Sequence, residues 1–292
     1  LVADAAGHNV RQTVFIETDA MYRAEGPDAF KFVGEVEFAQ GLAAQSASGR
    51  YGEMRAAAAI IGTADLTRGD EAVPVLEALA AASPQRFRGI RDRAAYIEGL
   101  PVRPPWMRKD LLIDPDFHKG FRWMRTYGLV YEAFLFHYQL PQLAELAGAF
   151  PDTVIVLNHL GAPHGHGDQP GSSDEVYGEW RQGLAQVARH ENVYLKLGGL
   201  QMPGIGFGWH ERDVPPTSDE MVAVNERWYA FGIEQFGPER SMFESNFPVD
   251  RMSCSYTVLW NHFKKMTKGF RPDQRAAMFH DNALRLYRLP LH

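Results

Sequence analysis

Apolar and β-branched residues gather into seven short runs, at 13–17, 56–61, 87–91, 129–136, 153–158, 193–197 and 241–245, and most are apolar at both odd and even positions. Strands of that kind are buried on both faces, as in a parallel sheet covered by helices. Between the runs the apolar period lengthens to that of a helix. Segments 28–44, 70–82, 116–127, 142–150, 174–190, 218–236, 253–268 and 272–287 carry it. The first sets Phe30, Val33, Val36 and Leu42 on one stripe, the sixth opens on Ser218 as a cap, and the last begins with Pro272 in the first turn, where proline is tolerated.

Strand alternating with helix predicts βα units. No glycine-rich phosphate-binding turn follows any strand, which argues against an open doubly wound sheet and for a (β/α)8 TIM barrel. Eight strands close such a barrel and seven are visible, so the expectation is a first strand upstream of Leu1. Residues 1–8 read as the tail of a helix closed by Gly7, and the chain is therefore expected to start inside a longer polypeptide. Neither an internal repeat nor a low-complexity tract divides the sequence, so residues 1–292 are expected to form a single barrel domain. Two connections rich in Gly, Pro and His, 160–174 and 201–216, follow strands and thus fall on the face where barrels hold their active sites.

Composition narrows the function classes. A 45% hydrophobic, 23% charged chain of 292 residues with a net charge of -6 is ordinary for a globular enzyme and carries no basic stripe suited to nucleic acid. No apolar run reaches membrane-spanning length, no secretion signal is visible, and Cys254 stands alone, so no disulfide can form within the chain. The expected setting is the cytoplasm and the expected partner a small-molecule substrate, with no nucleic acid and no membrane; a homo-oligomer is left open.

The most informative pattern is polar residues at the ends of apolar strands. Glu17 ends the first run, Arg88 and Arg91 straddle the third with Asp92 beside them, His137 follows the fourth, Asn158 and His159 close the fifth, Lys196 sits in the sixth, and Glu244, Ser245 and Asn246 end the seventh. Six strands doing this suggest polar groups converging on one cavity. His137 and His159 suit proton transfer, hydrogen bonding or metal ligation. Arg88 and Arg91 suit bidentate carboxylate recognition, although alternation turns one inward and the other outward. Lys196 could hold an oxyanion or carboxylate. His164 and His166 form a chelating spacing, but on a glycine-rich loop, where a solvated pair is the better reading. Tyr22, Trp106, Phe207 and Trp209 could wall a pocket or merely pack the long loops.

The C-terminal stretch 279–287 (FHDNALRLY), together with 87–91 (FRGIR), 156–161 (VLNHLG) and 242–248 (MFESNFP), is similar to the amidohydrolase-related barrel family, in the branch holding 2-pyrone-4,6-dicarboxylate lactonase and the sugar lactonases. The resemblance implies hydrolysis of a lactone C–O bond, and less strongly of an amide C–N bond, in a small carboxylated or polyhydroxylated substrate. It matches His159 to the family's active-site histidine after the sixth strand and His137 to the position after the fifth. It sets the arginines of 87–91 where relatives hold substrate carboxylates, and leaves the family's histidine pair, or its HxW variant, to the absent first strand. The last-strand block departs from the family's S-D-W-P: Asn246 stands where the water-activating aspartate is usual, and an amide takes no proton near neutral pH. Glu244 or Asp250 would then serve as the base. The resemblance admits one divalent metal (Zn) on His137 and His159 and a metal-free site equally. The alternatives are a metal-assisted decarboxylase of the same family and a non-catalytic binding protein.

Overall fold

A computed structural model describes residues 1–99, 104–165, 170–205 and 207–291. Seven strands form one parallel sheet in sequence order: β1 (Gln12–Ile16), β2 (Arg55–Gly62), β3 (Phe87–Arg93), β4 (Val130–Phe134), β5 (Ile155–Leu157), β6 (Val193–Leu197) and β7 (Ser241–Phe243). All seven fall within the apolar runs or overlap them. The helices are α1 (Val2–Ala5), α2 (Val33–Ala47), α3 (Val73–Ala82), α4 (Pro115–Phe121), α5 (Trp123–Thr126), α6 (Leu140–Ala149), α7 (Asp174–Ala188), α8 (Ser218–Phe236), α9 (Tyr256–Met266), α10 (Pro272–Ala276) and α11 (Asn282–Leu286). None of the described helices is long and apolar enough to cross a membrane.

Register shows how the sheet curls. Partners in a parallel ladder project to the same face. The pairs Gly89–Val130, Arg91–Glu132, Glu132–Val156, Val156–Tyr194 and Lys196–Met242 trace one face around β3 to β7. That face closes on a small core of Ala59, Ile61, Val130, Val156, Met242 and Tyr287, against which Val14 and Ile16 of β1 also pack. Residues of both edge strands meeting one cluster require a sheet rolled into a barrel-like trough. Among the described residues β1 and β7 remain its edges, and the eighth strand of a closed barrel would stand between them. The opposite face, with Ile60, Ile90, Tyr131, Ile155, Val193 and Leu195, packs under the helix layer in the main core.

The C-terminal segment seals the amino-terminal end of the trough. Tyr287 enters the inner core, its carbonyl accepts from Arg88 Nε at 2.8 Å, and Gln12 Nε2 donates to Pro290 O at 2.8 Å. Helix boundaries differ from the periodic reading where side chains prefer other bonds. The N-cap of α8 is Thr217, in a capping box with Glu220, one residue before Ser218. The cap of α9 is Ser255, because the Ser253 hydroxyl donates instead to Gln201 O. Segment 116–127 divides at Arg122 into α4 and α5.

Candidate active site

The carboxyl ends of the strands carry two ion clusters. In the first, Glu17 beyond β1 receives Arg91 and Arg93 of β3: Arg91 Nε lies 2.8 Å and Arg93 Nε 3.0 Å from Oε1, and Arg93 Nη2 lies 3.1 Å from Oε2. Arg93 Nη1 also bonds Asp19, and Arg91 Nη2 bonds the Glu17 carbonyl. Burial alone would lower the pKa of Arg93, but Glu17 and Asp19 outweigh it and raise it.

The second cluster spans β4 to β7. Lys196 Nζ stands 2.7 Å from Glu132 Oε2 and 3.7 Å from Glu244 Oε2. Glu132, fully buried on β4, also accepts from Asn158 Nδ2 at 2.5 Å and from the Tyr287 hydroxyl. Glu244 Oε1 takes both the backbone N–H of His159, at 3.1 Å, and its ring Nδ1, at 2.5 Å. Burial would raise the Glu244 pKa, but His159 and Lys196 overcome it and hold the carboxyl at about 2. An ionised carboxylate only accepts, so Nδ1 is the nitrogen that donates to it, and Nε2 is turned away from the pair. Nε2 has no hydrogen-bond partner among the described residues, and the ring packs edge-on to Phe134 at 5.0 Å.

Local backbone makes this pairing possible. His159 and Leu160 both take left-handed φ values of 55°, uncommon for residues with side chains, and Trp180 Nε1 fixes the turn by donating to Leu160 O at 2.5 Å. The Gly198–Gly199 pair after β6 leaves the necessary space. A Cβ on Gly198 would come within 2.5 Å of Glu244 Cγ, and one on Gly199, at φ 75°, within 2.5 Å of His159 Nδ1.

Of the residues expected at the site, Arg91, Lys196, His159 and Glu244 lie in these clusters. Four others take different places. Arg88 faces outward at the amino-terminal end of β3, where its guanidinium bonds the carbonyls of Tyr287, Phe87 and Gln85, so it is not a ligand for substrate at the strand ends. His137 is buried, but its Nε2 meets Glu179 of α7 at 3.3 Å and its Nδ1 accepts from the His164 N–H at 3.2 Å. Both nitrogens thus tie the strand end to α7 and to the following loop, and neither points to catalysis or metal ligation. Asn246 Nδ2 donates to Asp250 Oδ1 at 2.7 Å. Burial raises the pKa of Asp250 well above the usual range, with Glu244 adding to the rise and the Asn246 bond opposing it, and the carboxyl is enclosed apart from the two clusters with Asn246 as its clamp. His166 lies outside the described residues.

The donor set among the described residues does not fit a divalent ion. Among the described residues no three His, Cys, Asp or Glu side chains converge as a metal cluster, and the Lys196 ammonium already occupies the position between Glu132 and Glu244 where a cation would balance both. Glu132, Arg93 and Asp19 were not anticipated by the pattern of strand ends. A glutamate in the middle of an apolar strand, VYEAF, was the available signal for the first; the other two carried none.

A parallel sheet wrapped by helices with its charges at the carboxyl strand ends defines a barrel-type enzyme architecture. Sequence comparison places the molecule within it: the amidohydrolase family profile matches residues 3–289, and the chain belongs to that family. It is 31% identical to the protein y4mH of Sinorhizobium fredii over 99% of this chain and 84% of that protein. It is 27% identical to an L-fucono-1,5-lactonase of Burkholderia multivorans, over 61% of this chain and 57% of that enzyme. The crystal structure of an amidohydrolase from Burkholderia multivorans aligns with 96% of this chain and 100% of its own, at TM-score 0.68 and 22% identity, which extends the likeness to the fold.

Proposed function

We propose that this protein hydrolyses a neutral, polyhydroxylated lactone with His159 as the general base. One observation carries the reading: the 2.5 Å bond from His159 Nδ1 to an ionised Glu244, which orients the ring so that Nε2, the nitrogen a neutral imidazole would use as a base, is left without a partner among the described residues at the carboxyl ends of the strands. In the reaction Nε2 takes a proton from water as the oxygen attacks the lactone carbonyl. Glu244 stabilises the imidazolium that forms, as a carboxylate does for any histidine base it orients. Lys196, with N–H bonds beyond those to Glu132, stabilises the tetrahedral oxyanion. Collapse breaks the ring C–O bond, the imidazolium returns its proton to the leaving alkoxide, and the product is the open hydroxy acid. Glu244 is therefore the orienting group, whereas the sequence had suggested it as base.

The charge balance selects between the two substrate types. Across both clusters four carboxylates (Glu17, Asp19, Glu132, Glu244) face three cations (Arg91, Arg93, Lys196), and each cation is already paired. A carboxylated ring would add a permanent negative charge to a site in which carboxylates already outnumber these cations, whereas hydroxyl groups can donate to the carboxylates. Similarity to proteins named L-fucono-1,5-lactonase and L-rhamnono-gamma-lactonase supports the same choice. A cytoplasmic setting belongs to the same reading, and the free thiol of Cys254 is in keeping with a reducing compartment.

The test is acid release, followed with a pH indicator, from L-fucono-1,5-lactone, L-rhamnono-gamma-lactone and 2-pyrone-4,6-dicarboxylate. The neutral lactones should open catalytically, and His159→Gln should slow the reaction by roughly 10²–10⁴. If no lactone of either kind opens faster than in buffer, the reading fails.

A further inference from the structure

At the opposite end of the strands from the His159–Glu244 pair lies a cavity of about 290 Å³ between α3, the start of β3, the entry to β4 and the C-terminal segment. Leu76, Ala80, Phe87 and Leu129 make its apolar wall, and Arg88 and Arg288 stand on it as its charged residues. No Asp or Glu lines it among the described residues.

Three features of the arginines are unfavourable for a surface without a ligand. First, Arg88 is held by three backbone carbonyls, of Tyr287, Phe87 and Gln85, which fix its guanidinium in place and leave further N–H bonds unused. Second, the charges acting on Arg88 are cationic: burial lowers its pKa, and Arg288 and Arg86 lower it further. Third, Arg288 occupies the residue after the cap of α11 with φ 50°, in a terminus where Leu289 N–H returns to Leu284 O at 2.9 Å and Arg288 N–H to Arg285 O at 3.3 Å. That position in this helix ending favours glycine. Here it holds an arginine whose guanidinium has no hydrogen bond or ion pair among the described residues. Two like charges, one immobilised and one on a left-handed backbone, thus face one apolar cavity, and an anion seated between them would offset their repulsion.

We propose that this cavity binds a small amphipathic carboxylate, its anion between Arg88 and Arg288 and its apolar body against Leu76, Ala80, Phe87 and Leu129. Rigid guanidinium N–H groups match a carboxylate, and the size of the cavity suits a short chain or single ring rather than a lipid. The site is independent of the lactonase reading, because none of these residues touches the strand-end clusters.

Isothermal titration of the full chain with hexanoate, acetate and hexanol tests it, with Arg288→Ala as the variant; that side chain is exposed and bonded to nothing described, so its loss leaves the fold intact. Hexanoate should bind saturably with a millimolar or tighter Kd, and acetate and hexanol, each carrying one half of the ligand, should bind about tenfold or more weakly. Arg288→Ala should weaken hexanoate by about tenfold and leave hexanol unchanged. Equal binding of hexanol and hexanoate, an Arg288→Ala Kd equal to the wild type, or no saturable heat at all would each overturn the proposal.

Discussion

The two ion clusters at the strand ends are made of the same materials and do different things. Around Glu17 every charge is engaged: two guanidiniums share one carboxylate, and Asp19 takes the remainder. Around Glu244 the chain of pairing runs from Glu132 through Lys196 to the carboxylate and ends at an imidazole whose second nitrogen is left over. A converged set of charges at a barrel's strand ends is thus not in itself a site. What separates scaffold from chemistry is a group with an unsatisfied bond, held by a neighbour that fixes its orientation. The sharpest way to break the comparison is to remove that group. His159→Gln should lower kcat by roughly 10²–10⁴, the range for loss of a general base, with an unchanged circular dichroism spectrum. A variant that retained wild-type turnover would return the site to the status of its neighbour.

The converse substitution belongs to the first cluster. Glu17→Gln leaves Arg91 and Arg93 facing each other without their shared carboxylate, and breaking a buried pair of this kind costs about 3–5 kcal/mol. Urea unfolding should show that loss, while kcat of the folded fraction falls far less than in His159→Gln. If Glu17→Gln instead keeps its stability and loses its turnover, Glu17 touches substrate and the two clusters are one.

The partition between the clusters was only half legible in the sequence. The seven strands were, because burial on both faces leaves short apolar runs in most of them, and β1, half-buried throughout, still shows the β-branched TVFI run. His159, Glu244, Lys196 and Arg91 were also legible, since a polar side chain ending such a run has little but the strand-end cavity to face. Arg88 and Arg91 were indistinguishable by type, and only the register that pairs Arg91 with Glu132 shows which of the two faces inward. His137 was misplaced for a related reason: a histidine after a strand can turn toward the cavity or toward the helix layer, and Glu179, distant in sequence, decides it. Asp250 looked like a spare base at the strand end because its full burial, which raises its pKa, is a property of the packed loop after β7 and not of its composition.

The roles within the second cluster can be sharpened further. Glu244→Gln keeps a hydrogen-bond acceptor for Nδ1 but removes the charge that stabilises imidazolium, and should reduce kcat by about ten- to a hundredfold, less than His159→Gln, if a charge-assisted bond contributes about 1.5–3 kcal/mol. Single-turnover rates for the two variants would show the order. A reversed order would make Glu244 the base and His159 its support.

The smallest effect concerns an acid with no cation paired to it among the described residues. Asp92 lies on β3 between Arg91 and Arg93, but alternation turns it to the opposite face, where it is fully buried and its side chain bonds the Trp106 indole N–H, at 3.0 Å. Burial pushes its pKa from 3.8 up to about 7, with Asp65 and Glu17 adding to the rise and the indole bond opposing it. Between these two values the folded chain holds a proton that the unfolded chain releases, so this group's contribution makes stability fall as pH rises through the window, and the penalty is complete above the folded pKa. An amide in place of this carboxyl would be neutral throughout and could still accept from Trp106. Asp92→Asn should therefore flatten the pH dependence of unfolding, matching the wild type near pH 4 and exceeding it above about pH 7, with little change in kcat. Urea midpoints at both ends of the window give the comparison. A wild-type midpoint that stays level with the variant at alkaline pH would mean that Asp92 ionises without cost, and that the convex face of β3 is wetter than its packing implies.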